Sequence, residues 1–124
     1  MSGQRVEAEL ILGGATSAPL LELIEPVSFW GGVDDSSGEI IDRNHPQLGV
    51  SLADTALLMT ASRGSSSSSS TLLECVRLGT APKILMLTEP DAILTVAAAA
   101  AWEIYQRGPT VLSLPTAVST VVQA

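Results

Sequence analysis

The sequence predicts an α/β domain with a short parallel βαβαβ core and a β-rich amino-terminal half. In the second half of the chain, short apolar runs alternate with amphipathic or alanine-rich segments, as parallel strands alternate with the helices that join them. The first half contains short alternating segments that end at glycine or proline, which is typical of strands and turns. With 124 residues, 46% of them hydrophobic, the chain is predicted to form one domain over residues 1–124 with one modest core.

The first half contains three candidate strands. Each is a short apolar or alternating run that is followed by a glycine, a proline or a polar turn. We expect this half to pack beside the parallel core. The candidate strands are residues 6–12, 20–24 and 39–42.

The second half contains three candidate strands and two candidate helices. The strands are continuous apolar runs, which indicates that both faces of the sheet are covered. Gly79 and Gly108 lie where the two helices should end. In chain order the predicted elements are a strand at 55–60, a helix at 71–78, a strand at 83–87, a helix from Asp91 to about Gln106 and a strand at 110–114.

Residues 65–70 are six consecutive serines. This composition is typical of a flexible linker between domains. A predicted strand and a predicted helix lie directly on either side, however, so a domain boundary there would divide the parallel core. The run is therefore predicted to be a loop within the domain, between the carboxyl end of a strand and the amino end of a helix.

The serine loop combines several features of an anion-binding site. Open α/β domains bind ligands at the carboxyl ends of their strands, and a following helix offers free N–H groups and the positive end of its dipole. Gly64 allows a ligand to approach the backbone closely, and Arg63 has a guanidinium suited to a carboxylate or a phosphate. A positive potential favours the alkoxide form of a serine, which a serine base requires.

Composition argues against several other kinds of site. The formal charge of −7 argues against nucleic acid as a partner, because phosphate backbones are bound by basic surfaces. Cys75 is the single cysteine, so we expect a buried thiol and neither a metal site nor an iron–sulfur site in this chain. The longest apolar stretch is shorter than the ~18 residues that a membrane span requires, so we expect no membrane association and a cytoplasmic location.

Five short motifs resemble those of a known family. Their order and spacing are similar to those of the small-subunit, or swivel, domain of the aconitase X family, and the resemblance covers residues 20–114. It implies a swivelling β/β/α-type domain. The motifs are Ser-Phe-Trp-Gly-Gly-Val-Asp at 28–34, Gly-Glu-Ile-Ile-Asp-Arg-Asn-His-Pro at 38–46, Arg-Gly-Ser-Ser-Ser at 63–67, Leu-Gly-Thr-Ala-Pro at 78–82 and Glu-Pro-Asp at 89–91.

The resemblance implies the small subunit of a hydro-lyase (a dehydratase) that is inactive without its large subunit. The large subunit would carry an iron–sulfur cluster whose iron acts as a Lewis acid on the departing hydroxyl, and this chain would bind no cofactor. In aconitase-like enzymes the first serine after the glycine of a Gly-Ser-Ser motif removes the substrate proton, which implies Ser65 as the catalytic base. Arg63, Gly64, Ser66 and Ser67 would hold a small carboxylate substrate. Aconitases proper have an arginine where this chain has Ser67, so either Arg63 or the large subunit would supply the cationic contact.

The resemblance leaves the substrate open. The family dehydrates cis-3-hydroxy-L-proline in bacteria and mevalonate 5-phosphate in archaea. The Phe-Trp-Gly-Gly stretch at 29–32 favours the first, which would lose water to give a pyrroline carboxylate. Two interpretations from other classes also remain: a non-catalytic anion-binding or regulatory module that uses the swivel fold, and a purely structural interaction domain.

Asp42 and His45 follow a predicted strand at a turn. Such residues commonly cap turns, but the resemblance also implies that they support the Ser65 loop and orient it. Trp30 fits either the core or the interface with the large subunit. Glu89-Pro90-Asp91 is explained as the start of a helix.

Overall fold

The computed structural model describes residues 9–13, 16–61 and 67–114. Within these ranges one five-stranded sheet has the order β1-β5-β4-β3-β2. β2, β3, β4 and β5 run parallel to one another, and β1 is antiparallel to β5. The elements in chain order are β1 (Glu9–Leu12), β2 (Leu20–Glu22), α1 (Phe29–Gly32), β3 (Ala56–Met59), α2 (Ser67–Leu78), β4 (Ile84–Leu87), α3 (Ala92–Tyr105) and β5 (Thr110–Ser113).

The central strands β3 and β4 are buried along their whole length. Their side chains alternate between two apolar clusters, as the two-residue period of a strand requires. One cluster contains the buried residues of α2 and α3, which indicates that both helices cover the same face of the sheet. Leu57, Met59, Leu85 and Leu87 belong to that cluster, and Ala56, Leu58, Ile84 and Met86 belong to the cluster on the other face.

The helices begin and end at recognisable signals. Asp91 is the N-cap of α3, and its carboxylate accepts a hydrogen bond of 3.0 Å from the Leu94 N–H. Gly79 follows α2 with a φ of 80°, a left-handed conformation that glycine adopts without strain. Within the described ranges, no helix has the length and apolar character that crossing a membrane requires.

The structure confirms the parallel α/β core and shows that it is larger than the sequence predicts. Four strands are parallel rather than three, because β2 adds to the edge of β3. The amino-terminal half therefore contributes to the same sheet at both edges instead of packing wholly beside it. The prediction missed this because edge pairing depends on backbone hydrogen bonds, which leave no periodic signal in so short a strand.

Two predictions of secondary structure were wrong, and the residue that caps a third element differs from the one predicted. The candidate strand at 39–42 forms only isolated bridges, Val33 with Ile40 and Glu39 with Ser51, because tight turns on both sides leave no room for a ladder. α2 begins at Ser67 instead of Thr71, so the second part of the serine run is helical. The predicted end of α3 near Gln106 is confirmed, because the helix ends at Tyr105, but its left-handed cap is Gln106, with a φ of 58°, and not Gly108. Gly108 instead lets the chain pass close to α3, since a Cβ there would lie 3.2 Å from that of Ala101.

Gly38 and Gly49 form a matched pair for testing the packing of the turns between β2 and β3. Both have a left-handed backbone, with φ of 77° and 91°. A Cβ at Gly38 would lie 2.7 Å from the Thr80 carbonyl oxygen, whereas one at Gly49 would meet nothing within 4 Å. We expect Gly49→Ala to lower the free energy of unfolding by about 1 kcal/mol through backbone strain alone, and Gly38→Ala to lower it by roughly 2–4 kcal/mol because a clash is added. Urea denaturation measures both values, and equal losses would contradict the packing described.

Candidate active site

The serine loop connects the carboxyl end of β3 to the amino end of α2. β3 ends at Met59 and α2 begins at Ser67. Four of the predicted site residues, Arg63, Gly64, Ser65 and Ser66, lie outside the described residues, and Ser67 is the first residue of α2. Both ends of the connection thus lie at the edge of the sheet where open α/β domains bind ligands.

The two ends of α2 have different electrostatic surroundings. Its first turn contains no acidic residue, so no carboxylate of that turn offsets the positive end of the helix dipole. At the carboxyl end, one guanidinium nitrogen of Arg107 donates hydrogen bonds of 2.9 and 3.0 Å to the carbonyl oxygens of Val76 and Arg77. The helix therefore favours an anion at its amino end, next to the serine loop.

Ser68 joins the start of α2 to the segment around α1. Its side chain is fully buried, and its hydroxyl lies 3.5 Å from that of Ser28. The Ser28 hydroxyl in turn donates a 2.8 Å hydrogen bond to the Trp30 carbonyl oxygen. The first turn of α2 is thus held against the residues that precede and form α1.

The sequence interpretation missed Ser68, although a signal for it exists. Ser68, Leu72 and Cys75 are spaced as positions on one helical face, and all three are buried. Extending the apolar face of α2 backwards by one turn would have placed a buried serine there and would have moved the start of the helix towards Ser67.

Asp42 and His45 cap the turn in which they lie. The Asp42 carboxylate accepts a 2.9 Å hydrogen bond from the Asn44 N–H. His45 is buried; its Nδ1 accepts from the Gln47 N–H at 3.0 Å, and its Nε2 lies 2.8 Å from the Glu25 carbonyl oxygen. An N–H faces Nδ1 and a carbonyl faces Nε2, an arrangement that fits the tautomer with its proton on Nε2. That these two residues also orient loop residues 62–66 stays a prediction.

Gln47 strengthens the same connection. Its side-chain oxygen accepts a 2.9 Å hydrogen bond from the Ile24 N–H, and its side-chain nitrogen donates one of 3.1 Å to the Glu22 carbonyl oxygen. Together with the contact between His45 and Glu25, these bonds fix the strand that leads to α1. The geometry supports a structural role for this turn.

Cys75 is buried on α2, as the sequence predicts. Burial raises the pKa of the thiol above its usual value, which disfavours the thiolate that metal binding or nucleophilic chemistry requires. Among the described residues there is no group of three or more histidine, cysteine, aspartate or glutamate side chains that could hold a metal ion. These residues therefore do not fit an iron–sulfur cluster.

A cleft of about 310 Å³ opens where β4 and β5 end and α3 begins. Leu87, Val111 and Ser113 line it from the strands, and Glu89 and Asp91 line it from the connection to α3. Asp91 is accounted for as the N-cap of α3, which confirms that Glu89-Pro90-Asp91 begins a helix. The cleft lies at the same edge of the sheet as the serine loop, and its carboxylates are unsuited to bind an anion.

Comparison with known proteins identifies the relatives of this chain. A family model described as the aconitase X swivel domain matches residues 5–123. Proteins named cis-3-hydroxy-L-proline dehydratase from Pseudomonas aeruginosa and Hypocrea jecorina are 43% and 40% identical over 86% and 87% of this chain. The matched regions make up 18% and 17% of those proteins, so the chain spans less than a fifth of their length.

A third relative is closer to this chain in size. The protein named phosphomevalonate dehydratase small subunit from Methanothermobacter thermautotrophicus is 32% identical over 93 residues. The match covers 75% of this chain and 71% of that protein.

Solved structures have the same fold. The holo form of aconitase X from Thermococcus kodakaraensis superposes with a TM-score of 0.76 at 24% identity, over 86% of this chain and 77% of that chain. The solution structure of a UPF0107 protein also gives 0.76, at 25% identity, over 94% and 82%. The swivel-type α/β fold expected from the sequence motifs is thus confirmed.

Removal of the His45 side chain tests its structural role. We expect His45→Ala to lower the free energy of unfolding by roughly 1–3 kcal/mol, because the Gln47 N–H and the Glu25 carbonyl would lose their buried partner. Asn44→Ala is the control, since Asn44 is exposed and the hydrogen bond described for it uses its backbone. Thermal or urea unfolding measures the difference, and similar stabilities of the two variants would show that the contacts of His45 contribute little.

Proposed function

The chain belongs to the aconitase X swivel-domain family, and we propose that it is the small subunit of a dehydratase in which Ser65 is the general base. The observation that carries the proposal is the position of the Gly-Ser-Ser sequence at 64–66. It directly precedes α2, a helix of 12 residues whose first turn carries no acidic group, in a chain 43% identical to a cis-3-hydroxy-L-proline dehydratase.

The proposed base depends on its electrostatic surroundings. A serine hydroxyl is far too weak an acid to ionise near neutral pH in water. The positive end of α2 and the guanidinium of Arg63 would favour the alkoxide form. Ser65 would then take the proton from the substrate carbon that carries the carboxylate.

The substrate carboxylate would lie at the amino end of α2. Backbone N–H groups of the first helical turn have no partner within the helix, and those of Ser66 and Ser67 would donate to the carboxylate oxygens. Gly64 would allow the substrate to approach the backbone. The cationic contact is assigned to Arg63 or to the large subunit, because Ser67 stands where aconitases proper have an arginine.

A second polypeptide would complete the site. The two relatives named cis-3-hydroxy-L-proline dehydratase are more than five times as long as the matched region, and a relative named phosphomevalonate dehydratase is a small subunit. We assign the iron–sulfur cluster to the large subunit, where its iron would supply Lewis acidity, since the described residues of this chain do not fit such a cluster. The cytoplasm is the proposed compartment, in keeping with the free thiol of Cys75.

The preferred substrate is cis-3-hydroxy-L-proline. Loss of the proton on the carbon that bears the carboxylate and of the neighbouring 3-hydroxyl releases one water and forms a carbon–carbon double bond. The resulting enamine would tautomerise to a pyrroline carboxylate. Identities of 43% and 40% to enzymes named for this substrate, against 32% to the phosphomevalonate enzyme, favour this assignment.

Mevalonate 5-phosphate is the alternative substrate. The observation that favours it is size, since this chain matches 71% of the small subunit named for phosphomevalonate. A non-catalytic anion-binding module is the alternative from another class. It predicts that the isolated chain binds a carboxylate tightly without a large subunit.

The test is a dehydration assay of the chain combined with the aconitase X large chain of the same genome. We expect turnover of cis-3-hydroxy-L-proline by the pair and by neither chain alone. In the pair, Ser65→Ala should lower kcat by roughly 10²–10⁴-fold, because a general base is lost. Mevalonate 5-phosphate is assayed in parallel.

Ser70→Ala is the matched control, since Ser70 is an exposed serine of α2 in the same run. It should retain wild-type turnover. Near-normal kcat in Ser65→Ala would exclude Ser65 as the base, and exclusive turnover of mevalonate 5-phosphate would move the enzyme to the other branch of the family.

A further inference from the structure

Four large apolar side chains are exposed on the segments around α1. We call them the Trp30 surface, and they represent half of the large apolar residues that are exposed in the described part of the chain. Single apolar residues are ordinary on a protein surface, whereas several of them on segments that are hydrogen-bonded to one another, one being a tryptophan, are a candidate interaction site. The exposed fractions are 75% for Ile24, 62% for Trp30, 46% for Ile41 and 52% for Leu48.

Hydrogen bonds hold the segments that carry these side chains together. The Ile24 N–H donates to the side-chain oxygen of Gln47, the residue before Leu48, at 2.9 Å. The Ile41 N–H donates to the Gly32 carbonyl oxygen at 2.9 Å, which connects it to α1 and Trp30. The surface is therefore built on a fixed framework, and ordering it on binding would cost little conformational entropy.

Acidic residues accompany the Trp30 surface in the same stretch of chain. Between residues 22 and 48 there are six carboxylates against one arginine, Arg43. The stretch of chain that carries the apolar residues is therefore predominantly acidic, and basic residues around the apolar centre of a partner would complement it. The carboxylates belong to Glu22, Glu25, Asp34, Asp35, Glu39 and Asp42.

The surface lies next to the candidate active site. Ser28 donates to the Trp30 carbonyl oxygen and lies 3.5 Å from Ser68 in the first turn of α2. A partner protein that covers Trp30 would therefore lie close to the amino end of α2, the helix that follows the serine loop. A partner that completes the proposed active site has to occupy this same position.

We propose that the Trp30 surface is where the large subunit of the dehydratase docks, through an apolar recess bordered by lysine and arginine side chains. This inference rests on the proposed function, from which it takes the identity of the partner. The large subunit is chosen as the partner because this chain matches less than a fifth of the length of the relatives named cis-3-hydroxy-L-proline dehydratase. The rest of such an enzyme would have to come from another polypeptide. Trp30 is the anchor of the interface, as tryptophan residues commonly are.

The test measures binding of the purified large chain of the same genome, by calorimetry or biolayer interferometry. Trp30→Asp and Ile41→Asp should each raise Kd by roughly tenfold or more, because each places a carboxylate in an apolar contact, on a stretch of chain that is already acidic. Val96→Asp and Ile104→Asp are the controls, since these residues are 64% and 62% exposed on α3. Circular dichroism verifies that all four variants are folded.

Wild-type affinity in both surface variants, or an equal loss of affinity in the α3 controls, would overturn the docking assignment. So would a dimer of the isolated chain that Trp30→Asp dissociates without any change in binding of the large chain. Measuring affinity and dehydration on the same pairs separates this proposal from the proposed function. Tight binding without dehydration by the wild-type pair would contradict the function alone, and dehydration with unchanged affinity in Trp30→Asp would contradict the docking surface alone.

Discussion

β3 pairs in parallel with β2 on one side and β4 on the other, and the position of the chemistry depends on this pairing. Parallel neighbours cannot be joined by a hairpin, so the chain leaves β3 at its carboxyl end and returns through α2. The end of β3 and the start of α2 consequently lie at one edge of the sheet. Burial of both faces of β3 fixes its register in the sheet. A shift of one residue would turn the side chains of each apolar cluster to the opposite face.

The segment between β2 and β3 adds a second constraint on the start of α2. The side chains of His45 and Gln47 fix the chain near Glu25 by hydrogen bonds to its backbone, and the Ser28 hydroxyl lies next to that of Ser68. The turn that contains Asp42 and His45 is thus connected to the start of α2 by the chain segment from Glu25 to Ser28. The contacts described for Asp42 and His45 hold this framework, and their role in orienting the Ser65 loop stays a prediction.

Continuous apolar runs were sufficient to predict β3, β4, β5 and the two long helices, because burial on both faces and helical periodicity leave a local record in the sequence. The pairing of β2 and β1 at the sheet edges leaves no such record, and neither does the contact between Ser28 and Ser68, residues 40 positions apart. The serine run was assigned wholly to a loop since serine is a weak helix former, yet burial of Ser68 and Leu72 extends the helix to Ser67. Site residues at 63–66 were proposed from a motif, and their chemistry rests on what the neighbouring β3 and α2 impose.

In the proposed reaction the amino end of α2 holds the substrate carboxylate beneath the Ser65 hydroxyl. The most direct test is a crystal structure of the assembled enzyme with pyrrole-2-carboxylate, a planar ring acid that resembles the dehydrated product. We expect the carboxylate to accept hydrogen bonds from the N–H groups of Ser66 and Ser67. The Ser65 oxygen should lie about 3 Å from the ring carbon that bears the carboxylate. A carboxylate held elsewhere, with Ser65 far from the ring, would contradict the proposed reaction.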